Sequence, residues 1–242
     1  MTVWRRLAAR GGWGWVAALV VAMTLVPAAP SLDAAPATRA VTFVTTDNVR
    51  VAGTVFGSGT VGVVLAHMLG GVQQDWFPFA RRLAAEGYMV LAFDFRGHGK
   101  TGCPCGTDFL EREMLAATAI LKKEGVRRVV LIGASMGGTA AVKAAATGSA
   151  AAIVVISGPM TFGANVTMAD LSRITVPSLW ILGTNDTDFI KPMRTMHDGA
   201  KGPKVFHEYS GSWHGTQFFR SPHRDDFTRR LLSFLKEHVP AR

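Results

Sequence analysis

"LIGASMGG", residues 131–138, decides the reading of this chain. A β-rich apolar run, "VRRVVLIG" (126–133), ends at a serine with glycine two positions to either side, and an Ala-rich helical stretch follows over 136–147. A sharp strand-to-helix turn puts Ser135 in an uncommon backbone conformation, at a cost of about 1–3 kcal/mol. Side chains at 133 and 137 would collide with the neighbouring strand and helix, so both positions call for glycine. In return the hydroxyl stands clear of the strand, at a helix amino end where N–H groups and the helix dipole favour negative charge. Ser135 is therefore a candidate nucleophile.

On either side of this turn, short β-rich runs alternate with helical patterns. "VTFVTT" and "VRVAGTVF" read as a hairpin joined at Asp47-Asn48. "VGVVLAH" (61–67), "YMVLAFDF" (88–95), "AAIVVIS" (151–157), "VPSLWILG" (176–183) and "KVFHEYS" (204–210) read as further strands. Helical spacing falls at 75–86, 108–124, near 187–198 and at 222–238, with Gly87 and Gly125 as stops. The alternation predicts an α/β fold, a mostly parallel sheet with helices on both faces. In such sheets reactive groups gather just beyond the carboxyl ends of the strands.

Two more candidates meet that condition. Asp186 follows "LWILG" and is favoured over Asp188, because the carboxylate must emerge directly beyond the strand; with no such role it would be a turn or helix cap. His214 lies in "GSWHGTQFF" after the last strand, flanked by glycines, where it can lie over the sheet end. As a base it must accept the serine proton while a carboxylate holds its other nitrogen. The remaining histidines carry no comparable context.

With these residues placed, the sequence resembles the α/β-hydrolase superfamily over about residues 41–238. The elbow Gly133-Ala134-Ser135-Met136-Gly137 matches G-x-S-x-G, and the chain order Ser, Asp, His is that of the family. "LAHMLGG" is similar to its strand-end H-G-x motif and "FDFRGHGKTG" to its D-x-R-G-H-G-x-S turn, which makes His98 structural. The resemblance implies an eight-stranded-type sheet and a serine esterase with catalytic residues Ser135, Asp186 and His214. It assigns the oxyanion hole to the N–H groups of Leu69 and Met136. Met68 stands where the family usually has glycine, which makes its own N–H the alternative donor. No metal or organic cofactor is implied.

Between the strands ending at 157 and beginning at 176 lie only eighteen residues, too few for a separate cap domain. The expectation is a shallow, open site lined by Met68, Leu69, Met136, Met160, Phe162, Trp213 and Phe189, suited to short esters or to an ester polymer lying across the surface. A peptidase or thioesterase using the same triad is the rival reading. A non-hydrolytic or binding protein on the same fold is a third.

At 242 residues and 48% hydrophobic, the chain can bury one sizeable core. Residues 1–37 stand apart from that domain, 38–242. Arg5, Arg6 and Arg10 precede an apolar run from Trp13 to Val26 and then small residues, the parts of a secretory signal peptide. The run is shorter than the roughly 20 residues that span a bilayer. Secretion is the expectation, with membrane anchoring by a retained segment as the alternative. Loss of three arginines and Asp33 takes the formal charge from +9 to +7. The basic residues are scattered in pairs, which favours a solvated surface over nucleic-acid binding. A monomer is expected. Cys103 and Cys105 in "TGCPCGT" leave a bridge, two thiols or a stray metal site open.

Overall fold

A computed structural model describes residues 37–103 and 105–241; the segment read as a leader lies outside them but for Ala37. Eight strands form one sheet: β1 (Thr38–Val44), β2 (Arg50–Phe56), β3 (Val61–Ala66), β4 (Met89–Phe93), β5 (Arg128–Ala134), β6 (Ala152–Ile156), β7 (Ser178–Gly183) and β8 (Lys204–Tyr209). Their order is β1-β2-β4-β3-β5-β6-β7-β8. Pairing is antiparallel from β1 through β2 to β4 and parallel from β4 to β8.

The parallel strands read as continuous apolar runs because both their faces are covered. Alternate side chains go to opposite layers: Val64 and Leu131 join one core, Val63, Leu65, Val130 and Ile132 the other. The first layer is closed by α2 (Glu111–Lys123), α3 (Met136–Ala145), α4 (Met168–Ser172) and α5 (Thr187–Gly199), which send Met114, Leu121, Ala140, Leu171 and Met196 inward. The second is closed by α1 (Phe77–Ala85) and α6 (Arg224–His238), through Phe79, Leu83, Phe227, Leu231 and Leu235. The connection from β6 to β7 contains only the five-residue α4. Among the described residues no helix is long and apolar enough to cross a membrane.

Chain direction reverses around β3. The path leaves β3 toward β4 on one side and returns to β5 on the other, opening a crevice at the carboxyl ends of β3 and β5. Buried polar groups brace the segments beside it. His67, fully buried after β3, accepts the Phe95 N–H at Nε2 (3.0 Å) and donates from Nδ1 to the Met68 carbonyl (2.8 Å). Those partners require the neutral ring, and burial pushes its pKa down to about 4. Asp94 beyond β4 accepts Gln73 N–H and Nε2 (both 2.7 Å) and the Lys100 N–H (3.0 Å). Arg96 donates to Glu113 at 2.6 Å and to Asp47 at 2.8 Å, tying the β1–β2 turn and α2 to the loop after β4. The Arg96 guanidinium holds the Asp47 carboxyl well below the usual range, while burial pushes Glu113 upward. Cys103 and Cys105 are joined by a disulfide within that loop, and so are neither free thiols nor metal ligands.

Two outcomes follow from these buried polar groups. Glu113→Ala leaves the buried Arg96 guanidinium with Asp47 alone of its two carboxylates and should cost about 3 kcal/mol in guanidinium chloride unfolding, whereas Arg96→Met with Glu113→Leu should recover most of the loss. His67 is neutral in the fold, but the unfolded chain takes up a proton near the ordinary value of 6.5. Stability from this group is therefore full above about pH 6.5 and lost as pH falls toward 4. The wild type should lose about 3 kcal/mol more than His67→Gln between pH 7 and pH 4; parallel stability profiles for the two would contradict this.

Candidate active site

Ser135 sits between β5 and α3 at φ 50° and ψ −116°, a left-handed conformation that costs a non-glycine residue on the order of 1–3 kcal/mol. It is held there from both sides. Its N–H donates to the Ile156 carbonyl at 2.7 Å, and its own carbonyl accepts the Gly138 N–H at 2.8 Å. A side chain at Gly133 would run into the main chain of Gly137 and Gly138. One at Gly137 would stand 2.5 Å from the Ala66 oxygen and 2.8 Å from that of His67. The start of α3 is thus pressed onto the end of β3, main chain against main chain. Ser135 itself is 8% exposed.

That packing sets the loop after β3 beside the amino end of α3. Met68 accepts the Gly71 N–H at 3.0 Å in addition to the His67 ring, and Gly70 turns the chain at φ 73°. The N–H groups of Leu69 and Met136 donate to no acceptor among the described residues. The His67 ring thereby fixes the carbonyl direction of the loop that bears the Leu69 N–H.

Asp186 and His214 meet across the ends of β7 and β8. Thr184 and Asn185 donate their N–H groups to Tyr209 and Gly211, and Gly211 N–H donates to Thr184 Oγ1, lacing the two loops together. Gly183 permits the approach: a Cβ there would lie 2.7 Å from the oxygens of both Gly211 and Trp213. His214 Nδ1 donates to Asp186 Oδ2 at 2.8 Å, with 18% and 11% of the two side chains exposed. Nε2 is left as the free basic nitrogen. The Phe189 ring packs on the imidazole with centroids 4.3 Å apart. Asp188 is exposed in the first turn of α5 and takes no part.

The 3-10 turn Gly215–Arg220 then carries His214 against the elbow. A Cβ added at Gly215, which sits at φ 55°, would lie 3.4 Å from the Ala134 Cβ and 2.9 Å from Met68 Sδ, and Thr216 Oγ1 donates to the same sulfur at 3.3 Å. The turn after the histidine thus packs close to the residue before the serine and is bonded to the loop bearing Leu69. No hydrogen bond joins Ser135 Oγ to the His214 ring in this conformation.

The apolar lining expected from the sequence is distributed unevenly. Leu69 and Phe162 are exposed, and Met68, Met160 and Trp213 are half-buried. The Met136 side chain is wholly buried in the α2–α5 core and cannot line a cleft. It points into that layer from the first turn of α3, and the residue's own N–H has no acceptor among the described residues. His98 donates from Nδ1 to the Arg96 carbonyl at 2.9 Å, a bond that closes its own turn. Among the described residues no group of three or more His, Cys, Asp or Glu side chains could hold a metal ion.

Comparison with known proteins bears on this arrangement. The model of the alpha/beta hydrolase family matches residues 63–238. The chain is 33% identical over 132 residues to the quorum-quenching protein AidA of Acinetobacter baumannii, covering 51% of this chain and 43% of that one. It is 32% identical over 149 residues to the human serine hydrolase BPHL, covering 58% of this chain and 51% of that one. These matches span about half the length of the relatives. Among solved structures, the Pyrococcus furiosus esterase Pf2001 superposes with a TM-score of 0.71 at 21% identity, covering 84% of this chain and 94% of that one. A dienelactone hydrolase from Anabaena variabilis does so with a TM-score of 0.71 at 20% identity, covering 85% and 99%. With its sheet order, its strained turn after β5 and a family match over most of its length, the chain belongs to the alpha/beta hydrolase family.

Proposed function

We propose that this protein is an exported serine hydrolase that cleaves carboxylic esters through an acyl-enzyme intermediate. The observation that carries the reading is the 2.8 Å Asp186–His214 hydrogen bond, laced by its loops against the strained turn at Ser135. The carboxylate fixes the imidazole tautomer with Nε2 unprotonated, the form a general base requires. Ser135 Oγ attacks the ester carbonyl carbon as Nε2 takes its proton. The carbonyl oxygen becomes an oxyanion, held by the Leu69 and Met136 N–H groups. The tetrahedral intermediate collapses, the alcohol leaves with the proton from His214, and Ser135 is acylated. Water, activated by the same nitrogen, then releases the acid. Each backbone donor lowers the barrier by about 3–4 kcal/mol.

An ester is favoured by the short β6–β7 connection, whose one five-residue helix builds no cap over the carboxyl edge, and by exposed Leu69 and Phe162 beside it. The names borne by the similar structures, an esterase and a dienelactone hydrolase, point the same way. Export is supported by the basic-then-apolar leader and by the Cys103–Cys105 bridge, which an oxidising compartment permits.

Stopped-flow kinetics with p-nitrophenyl acetate and butyrate test the chemistry. The wild type should release nitrophenolate in a burst of about one per enzyme before steady turnover, the mark of an accumulating acyl-enzyme. Ser135→Ala should lose the burst and at least about 10⁴-fold in kcat, and Asp186→Asn about 10⁴-fold with the fold intact. Turnover by Ser135→Ala equal to that of wild type would refute the mechanism.

A further inference from the structure

Two cavities on the face carrying α1 and α6 share a wall. The smaller, about 230 Å³, opens between the Met68–Gly71 loop, Leu69 included, and Thr216–Gln217. The larger, about 480 Å³, lies farther out, on an apolar floor of Pro78, Phe79 and Phe219. Asp75 and Arg220 line both, so the two cavities adjoin at this pair and together make a groove whose outer part lies farther from Leu69. The Phe219 ring is seated firmly, 5.5 Å from both Trp76 and Phe79.

The charge along this groove is one-sided. Arg82, Arg220 and Arg224 line the outer cavity, against a single carboxylate, Asp75. Asp75 is already engaged: its Oδ2 accepts the Val72 N–H at 3.1 Å, and its Oδ1 lies 3.8 Å from Arg220. Arg82 reaches Glu86 only at 3.6 Å, and Glu86 is held more closely by Lys236 at 2.8 Å. Arg224 touches only its sequence neighbour Asp225, at 3.1 Å. All three arginine side chains are more than half exposed, at 62%, 83% and 65%, and so retain free donors toward a ligand. An apolar floor ringed by three guanidinium groups is complementary to an apolar chain that ends in an anion.

We propose that this groove binds the distal end of the ester substrate, and that this end is an apolar chain terminating in a carboxylate. The inference rests on the esterase reading for the site but concerns a separate set of residues. The apolar stem lies over Phe79 and Phe219, and the terminal carboxylate meets Arg82, Arg220 and Arg224, so the preferred substrates are esters with an anion remote from the scissile bond.

The test compares kcat/KM within two matched pairs. One pair, p-nitrophenyl hemisuberate and its methyl ester, differs in charge on the acyl arm. The other, a carboxyalkyl butyrate and its methyl ester, differs on the alcohol arm. At low salt the anionic member of at least one pair should be preferred about fivefold, the sum expected of a few exposed charge contacts. The preference should fade in high salt and invert in the Arg82→Glu, Arg224→Glu double variant. Equal turnover within both pairs, or a preference that survives the double variant, would overturn the proposal. If neither neutral ester is hydrolysed, the esterase reading fails by itself. Calorimetric titration of the Ser135→Ala protein then still decides the groove: octanoate should bind about fivefold more tightly than octanol and lose that margin in the double variant, and equal binding of the two would overturn it.

Discussion

The contact of greatest consequence in this protein is between backbones. The first turn of α3 lies directly on the last residues of β3, with no room for a side chain at Gly133 or Gly137. This closeness bends the chain after β5 so sharply that Ser135 takes φ 50°, and it brings the loop after β3 alongside the amino end of the helix. A cost of a few kcal/mol in backbone strain is set against a large buried sheet, and the hydrogen bonds that Ser135 donates to Ile156 and accepts from Gly138 over-determine the conformation. One close approach thereby positions both a hydroxyl and two unengaged N–H groups.

The same device recurs at the other end of the crevice. Gly183 lets the loop that follows β8 cross directly over the end of β7. The backbone bonds of Thr184 and Asn185 to that loop leave Asp186 and His214 facing each other. Glycines absorb the steric cost where main chains must touch. Polar side chains, His67, Asp94 and Arg96, then fix the directions of the segments between.

Much of this was legible in the sequence. The alternation of apolar runs with helical spacing follows from a sheet covered on both faces, and the residues at strand ends stood out because turns there need glycine. The less legible features depend on distant partners. The helix expected from Asp108 begins at Glu111, because Phe109 adopts φ 64° and the Leu110 N–H donates to Gly163. The pattern from Asp75 divides into a 3-10 turn, Gln73–Trp76, and a helix from Phe77. The turn Gly215–Arg220 leaves no mark in the sequence, since six residues carry too little periodicity. Spacing does not show which way the first residue of a helix faces, so it offers Met136 as a lining side chain although the side chain lies in the core. The Arg96–Glu113–Asp47 cluster joins residues 17 and 49 positions apart, a pairing no local pattern encodes.

The central claim is that the turn after β5 activates one particular hydroxyl. A fluorophosphonate probe followed by peptide mass spectrometry examines it directly. The account predicts a single phosphonylated peptide, with the adduct on Ser135 and no labelling of the Ser135→Ala protein. An unlabelled wild type, or an adduct that persists when Ser135 is removed, would contradict it.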